Sequence, residues 1–172
     1  MKALRRFGTL GVAMIVAVAS LMLGAAPASA AGDTRYENMG NPGWCLDGDG
    51  SFAYLHACNA GNVFQVWNVG DAGWMELKHK QSNTCLKALS NNLVGLSSCG
   101  ELGTSWHASG KNGWVKFVSA AWGFGKCLRP YGTEQGGQPT YDLAVLVCNP
   151  DRPNDDPYAT DNVPNIVAWR FH

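Results

Sequence analysis

The chain has 172 residues, of which 13 are basic and 13 acidic, so its formal net charge is zero. Residues 1–30 combine a basic start, an apolar run over 11–26 and the small-residue site Ala28-Ser29-Ala30, which is the pattern of a secretory signal peptide. Its removal leaves 10 basic against 13 acidic residues, a net charge of −3. That balance disfavours a nucleic-acid-binding protein, which would show a basic stripe.

The apolar run is shorter than a membrane span, and no later segment approaches about 18 consecutive apolar residues. We therefore expect a secreted protein without membrane insertion, whose residues 31–172 form a single domain. All six cysteines lie in that part, and in an oxidising compartment they are expected to form disulfides. Zinc is disfavoured because neither a CxxC nor a His-x₃₋₅-His spacing occurs.

A unit of about 40 residues recurs along the mature part, which is a period typical of repeat architectures. Cys-Leu pairs open the unit at residues 45, 85 and 127, a second cysteine follows each pair, and a tryptophan closes each unit. We place the repeats at about 33–70, 71–110 and 111–172. Because each repeat holds two cysteines, the predicted disulfides are Cys45–Cys58, Cys85–Cys99 and Cys127–Cys148.

Each repeat is predicted to consist of roughly four short strands. In the first, Asp47-Gly48-Asp49-Gly50 is a turn signal, because Gly adopts positive φ freely and Asp bonds its own backbone. In the later repeats, segments 74–78 and 114–118 alternate apolar and polar residues as half-buried strands do. We expect an all-β barrel closed around a threefold axis, with a core layer formed by Trp67, Trp106 and Trp169.

The third repeat is enlarged by two insertions, at 131–141 and 149–165. The second carries four Pro and four Asp and is predicted to be a surface loop, since Pro lacks the amide donor that strands need. Its carboxylates would suit Ca²⁺, but their spacing matches no known calcium loop. A solvated loop or a contact for a partner protein is favoured instead. Trp122, in a Gly-rich bend, is a second candidate for an exposed partner contact.

The repeats resemble the QxW repeat of the ricin B-type lectins. Cys45-Leu46-Asp47, Cys58 and Gln65-Val66-Trp67 carry the resemblance, while Thr104-Ser105-Trp106 and Val167-Ala168-Trp169 keep only the tryptophan. The resemblance covers essentially the whole mature part. It implies a β-trefoil, in which a six-stranded barrel is capped by three hairpins, with one shallow sugar site per intact repeat.

The resemblance also implies which residues would hold a sugar. In the family an acid follows Cys-Leu, an aromatic residue precedes the second cysteine, and an Asn-Gln pair precedes the closing tryptophan. Here Phe64 replaces the Asn of that pair. The candidate carbohydrate-binding residues are Asp47, Tyr54, His56, Asn62 and Gln65. The alternative stays open that Asp47 and Gln65 only hold the turn, and that the aromatic side chains form a solvated strand face.

The other repeats lack this set, since Lys87 and Arg129 replace the acid and Ser97 and Leu146 replace the aromatic residue. At most one sugar site is expected. No catalytic or cofactor motif occurs, so a binding protein is favoured over an enzyme, with a glycan or cell-surface polysaccharide as partner. The alternatives are a protein-binding trefoil, acting as an inhibitor or as a targeting subunit of an exported toxin or enzyme assembly, and a hydrolase whose carboxylates converge from different loops.

Overall fold

The computed structural model describes residues 32–69, 73–111, 113–122, 125–131 and 140–172. The predicted signal peptide and most of the insertion 131–141 lie outside the described residues. Within them, no helix is long and apolar enough to span a membrane. Two 3₁₀ turns cover Val63–Gln65 and Asn165–Val167. The strands of the described part are Gly32–Thr34 (β1), Tyr36–Asn38 (β2), Trp44–Gly48 (β3), Ala53–Ala57 (β4), Trp67–Val69 (β5), Trp74–His79 (β6), Cys85–Ala88 (β7), Val94–Ser97 (β8), Ser105–Lys111 (β9), Trp114–Ser119 (β10), Lys126–Tyr131 (β11), Thr140–Val147 (β12) and Trp169–Phe171 (β13).

A six-stranded barrel emerges when β1 and β2, which are separated by Arg35 alone, are taken as two halves of one strand. β1 pairs with β5 and β2 pairs with β13, and the ring continues through β6, β9 and β10. Every one of these pairings is antiparallel. Each strand of this ring pairs with two neighbours, so the barrel is closed.

The remaining six strands form three hairpins: β3–β4, β7–β8 and β11–β12. The hairpins meet one another, since β4 pairs with β12 and isolated bridges join Phe52 to Gly95 and Leu93 to Ala144. A second hydrogen-bonded ring of seven strands runs through two of these hairpins. The predicted β-trefoil, a six-stranded barrel capped by three hairpins, is confirmed.

The closing tryptophans fill the centre of the barrel. Trp67, Trp106 and Trp169 are each 0% exposed and belong to one apolar cluster. Each indole N–H donates to the backbone oxygen of the leucine that opens its own repeat. The acceptors and distances are Leu46 at 3.0 Å, Leu86 at 2.9 Å and Leu128 at 3.3 Å. Each repeat thus buries one indole whose N–H has a hydrogen-bond acceptor.

The predicted disulfides are present, one in each repeat: Cys45–Cys58, Cys85–Cys99 and Cys127–Cys148. They join residues 13, 14 and 21 positions apart. Closing loops of this size contributes about 3 kcal/mol each, largely by restricting the unfolded chain.

A long polar side chain at an equivalent place in each repeat tethers the loop that follows the second cysteine. The equivalence follows from strand register, because residues 37, 78 and 118 pair with the first cysteine of their repeats and the tethering residues lie two positions earlier. The tethers run from Arg35 to the carbonyl of Ala60 at 2.5 Å, from the amide of Gly100 to Glu76 at 2.6 Å, and from Lys116 to the carbonyl of Ala159 at 2.5 Å.

Candidate functional site

The polar turn of the first repeat is held by Asp49 rather than by Asp47. The Asp49 Oδ1 accepts hydrogen bonds from the amides of Ser51 at 2.9 Å and Phe52 at 2.8 Å, which closes the turn between β3 and β4. The bond from Phe52 is the main reason that the pKa of Asp49 is lowered. Asp47 bonds its neighbour, the amide of Gly48 at 2.7 Å, through Oδ1. Its second oxygen, Oδ2, serves another purpose.

Three of the predicted sugar-binding residues converge on Oδ2 of Asp47. Asn62 donates to it at 2.8 Å and Gln65 donates to it at 3.0 Å. The His56 Nδ1 lies 3.6 Å from the same oxygen, which is longer than a hydrogen bond. Asp47 itself is only 2% exposed, so the carboxylate lies beneath these side chains.

Gln65 is a buried connector between the strands and the 3₁₀ turn. Its amide donates to the carbonyl of Ala57 at 2.9 Å as well as to Asp47, and its oxygen accepts from the amide of Asn59 at 2.9 Å. Since Gln65 is 0% exposed, both ends of its amide are committed to the protein. Its role is to orient the carboxylate of Asp47.

Asn62 begins the 3₁₀ turn while also contacting the carboxylate. Its side-chain oxygen accepts from the amide of Phe64 at 3.0 Å, and its side-chain nitrogen donates to Asp47. The structure therefore brings Asn62 to the carboxylate, although Phe64 occupies the position at which the lectin family has an Asn.

The two aromatic candidates lie on β4, on the face that carries Asp47. Tyr54 is the strand partner of Asp47, and His56 lies two residues further along β4, on the same side of the strand. The side chain of His56 is 40% exposed. Tyr54 is half-buried, and its burial, reinforced by the charges of Asp47 and Asp49, raises the pKa of its hydroxyl.

Phe64 adds an exposed ring that the sequence analysis treated only as a lost amide. Its side chain is 41% exposed, and its ring stacks on His79 with 6.2 Å between centroids. The imidazole of His79 is fully buried and in turn contacts Trp67, at 4.9 Å. The aromatic residue at position 64, directly before the Gln65-Val66-Trp67 closure, is the sequence signal that could have suggested an exposed ring here.

The corresponding positions in the other repeats are used differently. Lys87, at the position of the acid, forms an ion pair with Glu101 at 2.5 Å, and Ser97 donates to the same carboxylate at 2.8 Å. Arg129, at that position in the third repeat, has a buried Nε without a hydrogen-bond partner among the described residues. Neither position offers a carboxylate to a ligand.

The predicted surface loop 149–165 is an ordered sequence of turns and bends laid against the barrel. The hydroxyl of Ser109 donates to the carbonyl of Tyr158 at 2.5 Å, and Lys111 pairs with Asp161 at 2.6 Å. Lys116, which is 3% exposed, donates to Ala159. The loop is thus held by three residues of β9 and β10.

Trp122 does not form the exposed contact considered from the sequence. It is half-buried and packs against the main core, and its indole N–H donates to the carbonyl of Ala88 at 2.7 Å. The ring of Trp122 lies over β7, where the indole finds both apolar contacts and a hydrogen-bond acceptor.

No protein-family model matches the sequence, and no curated protein matches it. Solved structures do match. The designed threefold-symmetric protein ThreeFoil aligns with a TM-score of 0.59 at 17% identity, covering 81% of this chain and 96% of ThreeFoil. SeviL bound to asialo-GM1 saccharide aligns with a TM-score of 0.54 at 12% identity, covering 83% of this chain and 97% of SeviL.

The Haemophilus ducreyi cytolethal distending toxin aligns with a TM-score of 0.57 at 12% identity, covering 80% of this chain and 81% of the toxin chain. At these identities the matches bear on architecture alone. Together with the closed barrel, the three hairpins and the threefold tryptophan core, they show that this chain adopts the β-trefoil fold.

Proposed function

We propose that the protein is a secreted, non-catalytic carbohydrate-binding module of the ricin B type, with one sugar site in its first repeat. The observation that carries the proposal is the convergence of Asn62, Gln65 and His56 on the carboxylate of Asp47. A carboxylate fixed in this way is a strong acceptor for sugar hydroxyls.

The sugar is proposed to enter from the side of His56. The 3.6 Å separation between His56 and Asp47 leaves that side of Oδ2 without a close donor, whereas Asn62 and Gln65 fill the others. A hydroxyl group that donates to Oδ2 would displace only this long contact. The rings of His56 and Tyr54 then flank the apolar face of the pyranose.

Secretion is proposed from the predicted signal peptide and is supported by the three disulfides, which persist in oxidising compartments. The fold supports the proposal more generally, since SeviL, a trefoil neighbour, was solved with a bound saccharide. A single shallow site binds weakly, so firm attachment to a polysaccharide would come from several copies or from a partner.

The test is a glycan array with the mature protein and three variants. His56→Ala removes an exposed ring, and Asp47→Asn keeps the size of the side chain while removing its charge. Both are expected to lose binding to the glycans that the wild-type protein retains. Lys87→Ala, at the equivalent position of the second repeat, is the matched control and should bind normally. Undiminished binding by both first-repeat variants, or binding to no glycan, would contradict the proposal.

A second candidate function is a protein-binding trefoil, favoured by the way the loop 149–165 is held on the barrel. All of its residues from Pro150 to Asp156 are exposed. Ser109 and Lys116 hold the segment that follows, through the carbonyls of Tyr158 and Ala159. An ordered, exposed loop of this kind suits recognition. A double variant, Asp151→Lys with Arg152→Glu, reverses exposed charges and leaves the tethers intact. Unchanged co-purification of every partner would count against this function.

A further inference from the structure

The outer face of the barrel carries a mixed aromatic and polar stripe between the first and second repeats. Trp74, Glu76 and Lys78 alternate along β6 and therefore project from one side of the strand. The strand pairings place His107 opposite Trp74, Ser105 opposite Glu76, and Asn68 opposite Lys78. Three cross-strand pairs thus combine one indole with both donors and acceptors of hydrogen bonds.

Apart from His107, these residues line a shallow groove of about 500 Å³, together with Met75 and the Cys85–Cys99 disulfide. Glu76 is fixed within the groove, because its Oε1 accepts from the amide of Gly100 at 2.6 Å. Lys78 adds an ammonium group and Asn68 adds an amide. The acid and the base balance each other, so the groove favours a neutral ligand with many hydroxyls.

Trp74 is exposed and yet held in place. Its side chain is 51% exposed, an unusual state for an indole in a small domain. The rings of His107 and Tyr158 contact it at centroid distances of 5.1 and 6.3 Å, with interplanar angles of 76° and 80°. Because two rings contact the indole while about half of its surface is exposed, its orientation is restricted and part of it stays open to a ligand.

We propose that this groove is a second saccharide-binding site, in which Trp74 packs on the apolar face of a pyranose and Glu76, Lys78 and Asn68 bond its hydroxyls. It lies on strands of the barrel wall, whereas Asp47 and His56 belong to the β3–β4 hairpin. The two sites are therefore separate, and this inference does not depend on the first.

Other occupants fit the groove less well. β6 is paired with β5 and β9, so a peptide finds no free strand edge along the stripe to extend. A nucleic acid would need several basic side chains, and among the residues that the structure describes Lys78 is the one lysine lining the groove.

The experiment follows the indole N–H signals of the ¹⁵N-labelled mature protein by NMR while soluble tetrasaccharides are added. The probes are cellotetraose, xylotetraose, mannotetraose and chitotetraose, and the Trp74 signal is assigned by its absence in Trp74→Phe. We expect at least one probe to shift the Trp74 signal saturably. Lys78→Ala should weaken that binding at least about tenfold, since it removes a charged hydrogen-bond donor.

Two controls keep this site apart from the first-repeat site. Leu102→Ala changes another exposed apolar residue, 70% exposed, and should leave the titration unchanged. His56→Ala should also leave the Trp74 shift unchanged, even if it abolishes glycan binding elsewhere. A Trp74 signal that none of the four probes moves, or a shift that survives Lys78→Ala at full affinity, would overturn the inference. So would loss of the shift in His56→Ala.

Discussion

The indole N–H of Trp67 donates to the carbonyl of Leu46 at 3.0 Å, across 21 residues of sequence. The bond links the closing residue of a repeat to its opening Cys-Leu pair, and it recurs in the other two repeats. It explains why tryptophan rather than another large apolar residue closes each repeat. A leucine or phenylalanine would fill only part of the space and would leave a buried carbonyl without a partner.

Replacing Trp106 with Phe tests this role. The variant keeps an aromatic ring but leaves the Leu86 carbonyl unsatisfied and part of a fully buried volume empty. We expect the free energy of unfolding to fall by about 3 kcal/mol, as measured by urea denaturation. Trp74→Phe, at a half-exposed position, is the matched control and should change stability by less than about 1 kcal/mol. Equal effects of the two variants would contradict the assigned role.

Replacing Gln65 with Leu separates orientation of the carboxylate from contact with a ligand. Gln65 is fully buried and satisfies Asp47, the Ala57 carbonyl and the Asn59 amide. Its loss should destabilise the protein by about 2 kcal/mol, because buried polar partners are left unpaired. His56→Ala should leave the unfolding midpoint nearly unchanged. A Gln65→Leu variant of wild-type stability would show that this network holds little of the fold together.

Acidification should destabilise the fold through His79. Its Nε2–H donates to the carbonyl of Phe64 at 3.0 Å, so Nδ1 is an acceptor facing the Ser82 hydroxyl at 2.7 Å. Burial lowers the pKa of His79. In the unfolded chain this histidine is protonated near pH 6.5, whereas in the folded chain it is protonated only at lower pH. The free energy of unfolding therefore falls as the pH drops below about 6.5.

The free energy of unfolding, measured by urea titration between pH 7.5 and 5, should decline with a slope of up to about 1.4 kcal/mol per pH unit for this proton. Burial lowers the pKa of His107 as well, so both histidines contribute. His79→Gln should flatten part of the decline. The carboxylates with lowered pKa values, such as Glu37, act only at more acidic pH. A flat profile in the wild-type protein would refute this account.

Lys116 is expected to control the order of the loop 149–165. Its ammonium group is buried and donates to the Ala159 carbonyl, whereas the ion pair of Lys111 with Asp161 is exposed. Lys116→Met should therefore speed amide hydrogen exchange across 157–161 by about tenfold or more. Lys111→Ala should have little effect, since exposed ion pairs contribute little. If Lys111→Ala loosened the loop as much as Lys116→Met, the buried tether would not be the main restraint.

The repeat signals made the fold predictable, because each Cys-Leu pair, second cysteine and tryptophan recurs at nearly constant spacing. The disulfide pairing was predicted from the same repeat, because each repeat holds two cysteines. The sequence did not show that Asp49 closes the turn while Asp47 contacts Asn62 and Gln65. Both carboxylates belong to the same Asp-Gly-Asp-Gly segment, and only the backbone geometry decides which one closes it.

Features that depend on neighbouring strands were beyond the sequence. The groove at Trp74 exists because register sets Ser105 and Asn68 beside Glu76 and Lys78, and no single segment contains that pattern. The tethers Arg35, Glu76 and Lys116 share a position but no chemistry, so the repeat could not reveal them. The glycines beside Trp122 left its exposure open, and only the contacts with the core and the Ala88 carbonyl show that it is half-buried.

Anchoring each loop from its own barrel strand makes the three repeats modular. A guanidinium, a carboxylate and an ammonium group perform the same task, and each bonds a main-chain atom of its loop, although Glu76 also accepts from the Thr104 hydroxyl. The sequence of a loop can then vary, and its length can grow as it has between Cys148 and Trp169, without a matching change in the wall of the barrel. This scaffold is thereby suited to grafting: one loop can be exchanged for a foreign recognition segment while the other two keep their native attachments.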